Sequence, residues 1–408
     1  MWKTPRIAIT GIGMISPLGV LLSDNWENLL NGISGIDTIR KFDTSDCLTR
    51  IGGQLPASFY EMEKKNFNRH SFKQTLRTTR IASLISKEAI QDSGLNLKTI
   101  DLKRCGVVLG TSGAFLDEDD SLAGSGTYRI VREMANAPPA RISLDLGFQG
   151  PSYTLTASNE SGACAIANAV DMIQWGNADV VIAGGVDTLL TRNFIQQFNH
   201  HKLLTTQNSH PRSAVKPFDK NRDGFALSDG GCVVVLEDAE HAHRRHARIY
   251  AYLTGYGAAT EGRQIAAGRS HEGMSKTMKK ALEMADLLPE KIDYICASGA
   301  ATIDSDLHEA KAIHHVFGTH VKQLMVSSFK SMIGHTMSAN GAIGVAVCAL
   351  ALKTGDVPQA VNLTNSDPEC ELNFVRTKAL QPYNLNAAMT NAFGFDGSYW
   401  SMLLQSPQ

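Results

Sequence analysis

At 408 residues the chain exceeds what one simple core accommodates and points to two domains or a duplicated one. A formal net charge of −1 removes the electrostatic case for nucleic acid or an anionic membrane as partner, and no apolar run approaches the length of a membrane span. The seven cysteines (Cys47, Cys105, Cys164, Cys232, Cys296, Cys348, Cys370) are scattered, odd in number and free of CxxC spacing, which argues for reduced thiols and against structural zinc. The Met1-Trp2-Lys3-Thr4-Pro5 start carries no signal-peptide apolar segment, so a cytoplasmic location is expected.

In chain order, a strand and glycine turn are expected at Arg6–Gly13, a helix at Asn25–Leu30 and another at Arg77–Gly94. Gly11 and Gly13 have no third glycine opening a helix, which argues against a dinucleotide site. A strand at Cys105–Gly110 leads into the glycine-flanked Thr111–Phe115. Next, a strand at Tyr153–Ala157 breaks at Ser158-Asn159-Glu160-Ser161-Gly162, an Ala-rich helix follows, and an apolar strand runs from Val180 to Ala183. A second half starts near Arg248 with a strand at Ile249–Tyr256. It continues with helices at Lys276–Leu287 and Leu307–Phe317, a strand at Leu324–Ser328, the turn Ser331–His335 and a small-residue helix at Ala339–Leu352. Each half thus contains a strand, a polar turn and an Ala/Gly-rich helix suited to close burial. Halves 1–247 and 248–408 are expected to form a duplicated α/β fold with both halves supplying active-site turns.

A strand entering a sharp turn at a helix N-terminus suits a nucleophile, because free N–H groups and the helix dipole stabilise a thiolate or oxyanion there. Here that position holds Asn159, whose amide is not a nucleophile. Cys164, five residues on, is rotated about 140° around the helix at ~100° per residue and is expected to pack in the Ala-rich core. The histidines His241, His243 and His246 read as a solvated face rather than a metal site. The acidic run Asp117–Asp120 reads as a solvated loop.

Taken together, the blocks ITGIGMISPLG, GPSYTLTASNESGACAI, ADVVIAGGVD, PFDKNRDGFALSDGGCVVVLED, VSSFKSMIGHTMSANGAIG and NAFGFDGSYW resemble the β-ketoacyl-acyl-carrier-protein synthases over essentially the whole chain. The resemblance implies a thiolase-like α/β fold with duplicated halves in a layered α-β-α-β-α arrangement, and no cofactor or metal. In that family a Cys takes up the acyl chain, two His support malonyl decarboxylation, a Lys and a Glu organise the pocket, and a Phe gates it. By position, the Cys falls on Asn159, the first His on Ser298, the Lys on Lys330, the second His on His335, the Glu on Glu309 and the gating Phe on Phe395. The family's next glycine is Asp396 here.

Loss of both the Cys and the first His is similar to the chain-length factor, or ketosynthase-β subunit, of type II polyketide synthases, which commonly carries Gln at the Cys position. This implies a heterodimer with a catalytic ketosynthase-α, a shared tunnel that sets the length of the growing polyketide, and acyl carrier protein as a further partner. Gly113, Phe115, Leu116 and Phe395 become tunnel-wall residues, and Arg212, Lys216, Lys220 and Arg222 become candidate contacts for the carrier. Lys330 and His335 are either structural remnants or a malonyl-acyl-carrier-protein decarboxylase site that makes acetyl starter units.

Overall fold

The computed structural model describes residues 6–112, 129–262, 270–378 and 381–407. The strands are β1 (Ile7–Ile15), β2 (Ile36–Thr38), β3 (Ile51–Gly53), β4 (Cys105–Gly110), β5 (Ser152–Leu155), β6 (Val180–Asp187), β7 (Gly230–Asp238), β8 (Ala251–Thr260), β9 (Tyr294–Cys296), β10 (Met325–Ser327), β11 (Ala387–Phe393) and β12 (Ser398–Gln405). β2 and β3 pair with each other, and the other strands form one mixed sheet in the order β10-β9-β11-β12-β8-β1-β7-β6-β4-β5.

Duplication is visible in the pairing. From the central antiparallel pair β1/β8, one half runs outward through β7, β6, β4 and β5 and the other through β12, β11, β9 and β10. In both directions the first two pairings are antiparallel and the next two are parallel.

The expected glycine turn at Gly11 and Gly13 does not exist; both lie inside β1. A Cβ at either position would sit 2.2 Å from the Ala89 carbonyl or 1.9 Å from that of Ile85, so these glycines let the Arg77–Ser93 helix lie directly on the strand. The second half repeats the device. Thr254-Gly255-Tyr256-Gly257 mirrors Thr10-Gly11-Ile12-Gly13, and the His271–Ala285 helix packs on β8 through Gly255 and Gly257, against the carbonyls of Ala281 and Thr277.

Those two helices are outer layers; the middle layer is formed by the helices Ser161–Gln174 and Ala339–Thr354. The latter is buried at every residue from Ala339 to Leu352, as expected of a helix that is apolar all round. It packs on β6 and β7 of one half and on β9 and β11 of the other, which produces the helix–sheet–helix–sheet–helix order. Fully burying each of Ile343, Val345 and Val347 contributes about 1.5–3 kcal/mol.

The N-terminal ends of the middle helices touch. Gly162 N–H donates to the Ser338 carbonyl at 3.1 Å. A Cβ on Gly162 would lie 2.2 Å from that oxygen, and one on Gly341 would lie 2.7 Å from the Ala163 Cβ. Gly162→Ala is therefore expected to destabilise the protein by about 1–3 kcal/mol through overpacking, read as a lower thermal unfolding midpoint; an unchanged midpoint would contradict the contact.

Candidate functional site

The crossing of the middle helices sets the site, because a candidate residue precedes each. Asn159 ends the turn after β5, where Ser158 takes a left-handed conformation (φ 53°). The Ser161 hydroxyl holds this turn, accepting from Ala157 N at 2.8 Å and donating to the Ser158 carbonyl at 2.6 Å. His335 precedes the other helix and is fastened to the strand-like segment at Leu227. Its N–H donates to Ala226 O at 2.8 Å, and its carbonyl accepts from Ser228 N at 3.0 Å. Asp187, at the end of β6, ties both sides together by accepting from Ser112 N, Ser112 Oγ and Ser338 N at 2.6–3.1 Å.

Asn159, Glu160, Ser298, Glu309, Lys330 and His335 are all at most 2% exposed. The Asn159 amide donates to Glu160 Oε1 at 2.5 Å, and its own oxygen faces Gly394, next to Phe395. The Ser298 hydroxyl oxygen accepts from Phe393 N (3.3 Å), while its backbone carbonyl accepts from Lys330 Nζ. Glu309 accepts from Ser298 N and Gly299 N, both at 2.8 Å, and from the Asn391 amide at 3.1 Å. Phe395 is half-buried. It meets Phe198 edge-on at 5.7 Å, stacks on Phe225 at 6.3 Å and lies 6.3 Å from the His335 ring.

Asp396 does not distort its turn, since Gly397 takes the left-handed position (φ 86°). Gly394 N bonds Ser398 O at 2.8 Å, and Asp396 Oδ1 accepts from Ser398 N at 3.1 Å.

Burial sets the charges. It lowers Lys330, opposed by Glu160 and Glu309, and lowers His335 well below 6.5, assisted by the Lys330 charge. His335 is therefore a neutral imidazole. Met337 N–H donates to its Nδ1 at 3.2 Å, and the Asn340 amide nitrogen lies 2.9 Å from the same atom. Asn340 Oδ1 is held by Thr336 N and Oγ1, so its NH2 faces the ring, and the network assigns the imidazole proton to Nε2. Burial raises Glu309 but its three N–H donors pull it back, whereas Glu160 is raised well above 4.5 by burial, with Asp396 and Glu309 adding to the rise.

The structure thus brings together Asn159, Ser298, Lys330, His335, Glu309 and Phe395, whereas Gly113, Phe115, Leu116 and the Asp117–Asp120 run lie outside the described residues. Cys164 is not in the core as expected. It is half-buried on a helix face with Asn168 and Asp171, because Ala163, Ala165, Ile166 and Ala167 occupy the inward faces. Burial raises its thiol.

Arg222 is not a surface contact either. It is 3% exposed and paired with Asp367 at 2.6 Å and Asp306 at 3.7 Å. His241 braces the buried Glu237 at 2.7 Å and His243 meets the Tyr252 hydroxyl; no metal-holding cluster occurs among the described residues.

Sequence reasoning missed Glu160, Asp187, Asn340 and Asn391. Glu160 alone had a signal, an acid beside Asn159 in the turn that opens the Ala-rich helix.

Two profiles match the chain: the beta-ketoacyl synthase N-terminal domain over residues 4–242 and its C-terminal domain over 250–364. The 3-oxoacyl-[acyl-carrier-protein] synthase 2 of Coxiella burnetii is 34% identical over 98% of both chains, and that of Synechocystis sp. is 33% identical over 96% of both. Among solved structures, a beta-ketoacyl synthase from Burkholderia phymatum has a TM-score of 0.88 at 27% identity, covering 99% of this chain and 100% of that one. The ishigamide ketosynthase/chain length factor has a TM-score of 0.87 at 26% identity, covering 100% of both chains. The layered, duplicated architecture is that of the thiolase-like ketosynthases, and the chain belongs to the beta-ketoacyl synthase family.

Proposed function

We propose that this chain is the non-nucleophilic subunit of a ketosynthase pair, a chain-length factor that shapes the tunnel in which a partner's cysteine elongates a polyketide. The observation that carries the reading is the pairing of two absences inside an intact frame. Covalent chain transfer needs a nucleophile that forms a thioester and departs readily. At the head of the Ser161–Gln174 helix stands an amide already bound to Glu160, and where the first imidazole is expected stands a hydroxyl bound to Phe393 N. Neither group forms a thioester, and neither takes up and releases a proton near neutral pH as an imidazole does.

The edge of the sheet supports pairing. Among the described residues β5 has a sheet neighbour only on the β4 side, and Leu144 (81% exposed) lies on, and Trp175 (74% exposed) caps, the helices packed beside it. The likeness to a ketosynthase/chain length factor structure agrees. Acyl carrier protein is the source of extender units in this reading; Arg212 and Lys220 are exposed cations for its acidic surface, and Lys216 is half-buried. Phe395, half-buried among aromatic rings, is the tunnel gate.

A second reading, malonyl-carrier-protein decarboxylation giving acetyl starters, is favoured by one observation. Lys330 and the neutral His335, with its proton on Nε2, are both retained in the buried site.

Co-expression with a ketosynthase bearing an intact Cys-His-His set is expected to yield a 1:1 heterodimer by native mass spectrometry. A stable homodimer alone would overturn the reading. For Asn159→Cys, acyl transfer onto the new thiol is expected, with condensation still about a hundred- to ten-thousand-fold slow until Ser298→His is added. Full condensation by the single variant would show that Ser298 is not a deficit.

A further inference from the structure

Glu160 is the acid in this site with an uncommitted oxygen. It does not cap the helix it precedes. Oε1 accepts from the Asn159 amide, while Oε2 is buried without a hydrogen-bond partner among the described residues. The charged groups that face it are Lys330, Glu309 on the Ile303–Phe317 helix and Asp396 in the β11–β12 turn. Glu309 accepts from three N–H donors, which favour its charged form, and Lys330 acts electrostatically on both Glu160 and Glu309. Glu160 has a single donor and an unpartnered Oε2, and burial with Asp396 and Glu309 pushes it toward the neutral acid against the pull of Lys330; as the neutral acid it presents an unspent O–H beside the amide that replaces the nucleophile.

We propose that Glu160 is the proton donor of this site, acting from Oε2 on a malonyl thioester whose carbonyl also meets the Nε2–H of His335. The proposal rests on the decarboxylation reading. The bond between the malonyl Cα and its carboxylate breaks and CO2 leaves. The electron pair passes into an enolate whose oxygen takes the His335 hydrogen bond, and Glu160 protonates the α-carbon. Its carboxylate then regains a proton from solvent, so one malonyl thioester and one proton give one acetyl thioester and CO2. An acid supplied from the helix head thus takes over the proton handling that Ser298 lacks.

The test uses the full chain, alone and with its ketosynthase partner, incubated with malonyl-carrier protein and followed by intact-mass detection of acetyl-carrier protein. Acetyl formation is expected in the wild type and its loss in His335→Ala. Glu160→Gln, which keeps the shape but carries no transferable proton, is expected to slow it about a hundred-fold and to remove the fall in rate at alkaline pH that an acid donor imposes. Loss in His335→Ala with an unchanged rate and pH profile in Glu160→Gln overturns the role of Glu160 alone. No acetyl product from the wild type overturns the decarboxylation reading with it and leaves subunit pairing to be judged by the heterodimer.

Thermal unfolding provides a second readout. The unfolded carboxyl releases its proton near 4.5 while the folded one retains it, so wild-type stability falls relative to Glu160→Gln as pH rises above about 4.5. Parallel pH curves for the two proteins mean that Glu160 is ionised when folded, and the proposal fails.

Discussion

The site depends on a contact in which no side chain fits. Where the Ser161–Gln174 and Ala339–Thr354 helices meet, Gly162 bonds the Ser338 carbonyl, and Gly185 and Gly341 leave room only for backbone and a methyl group. The turns that open these helices carry Asn159 and His335, residues 176 positions apart in sequence (335 − 159). Backbone-to-backbone approach at this point brings the two turns into one site. A larger residue here would move both, because close-packed interiors transmit strain rather than absorb it.

Charge balance follows from the same burial. Lys330, Glu309, Glu160 and His335 are all buried, where an unpaired charge is costly and a paired one needs hydrogen bonds to survive. The structure provides three N–H donors to Glu309 and one to Glu160, so hydrogen bonding favours the charged form far more at Glu309 than at Glu160 although burial raises both. Asp306, held by Phe218 N and Ala301 N and pushed up to about 7 by burial, shows the same tension on the neighbouring loop.

Much of the element order was legible in the chain, and for a local reason. Cys105–Gly110 and the Arg77–Ser93 helix, closed by left-handed Gly94, announce themselves through apolar periodicity and end signals. Gly11 and Gly13 misled because a glycine pair signals a turn locally, whereas here it serves a helix lying across the strand. The echo at Thr254–Gly257 was the available clue, since two identical spacings at matching places favour packing over turning. Cys164 misled for a related reason: helix rotation gives its angle from Asn159 but not which side of the helix faces the core.

The sequence by itself determined the family blocks, the alternation of strands and helices, and the absence of a thiol at position 159 and of an imidazole at 298. These are properties of residue identity and local spacing. Only the tertiary structure decided that the Ser298 hydroxyl oxygen accepts from Phe393 N, that Arg222 is locked between two aspartates, and that Glu160 has a buried oxygen without a partner among the described residues. Each of these depends on groups tens to hundreds of residues away. Which donors reach a buried atom is fixed by packing, and no local pattern encodes it.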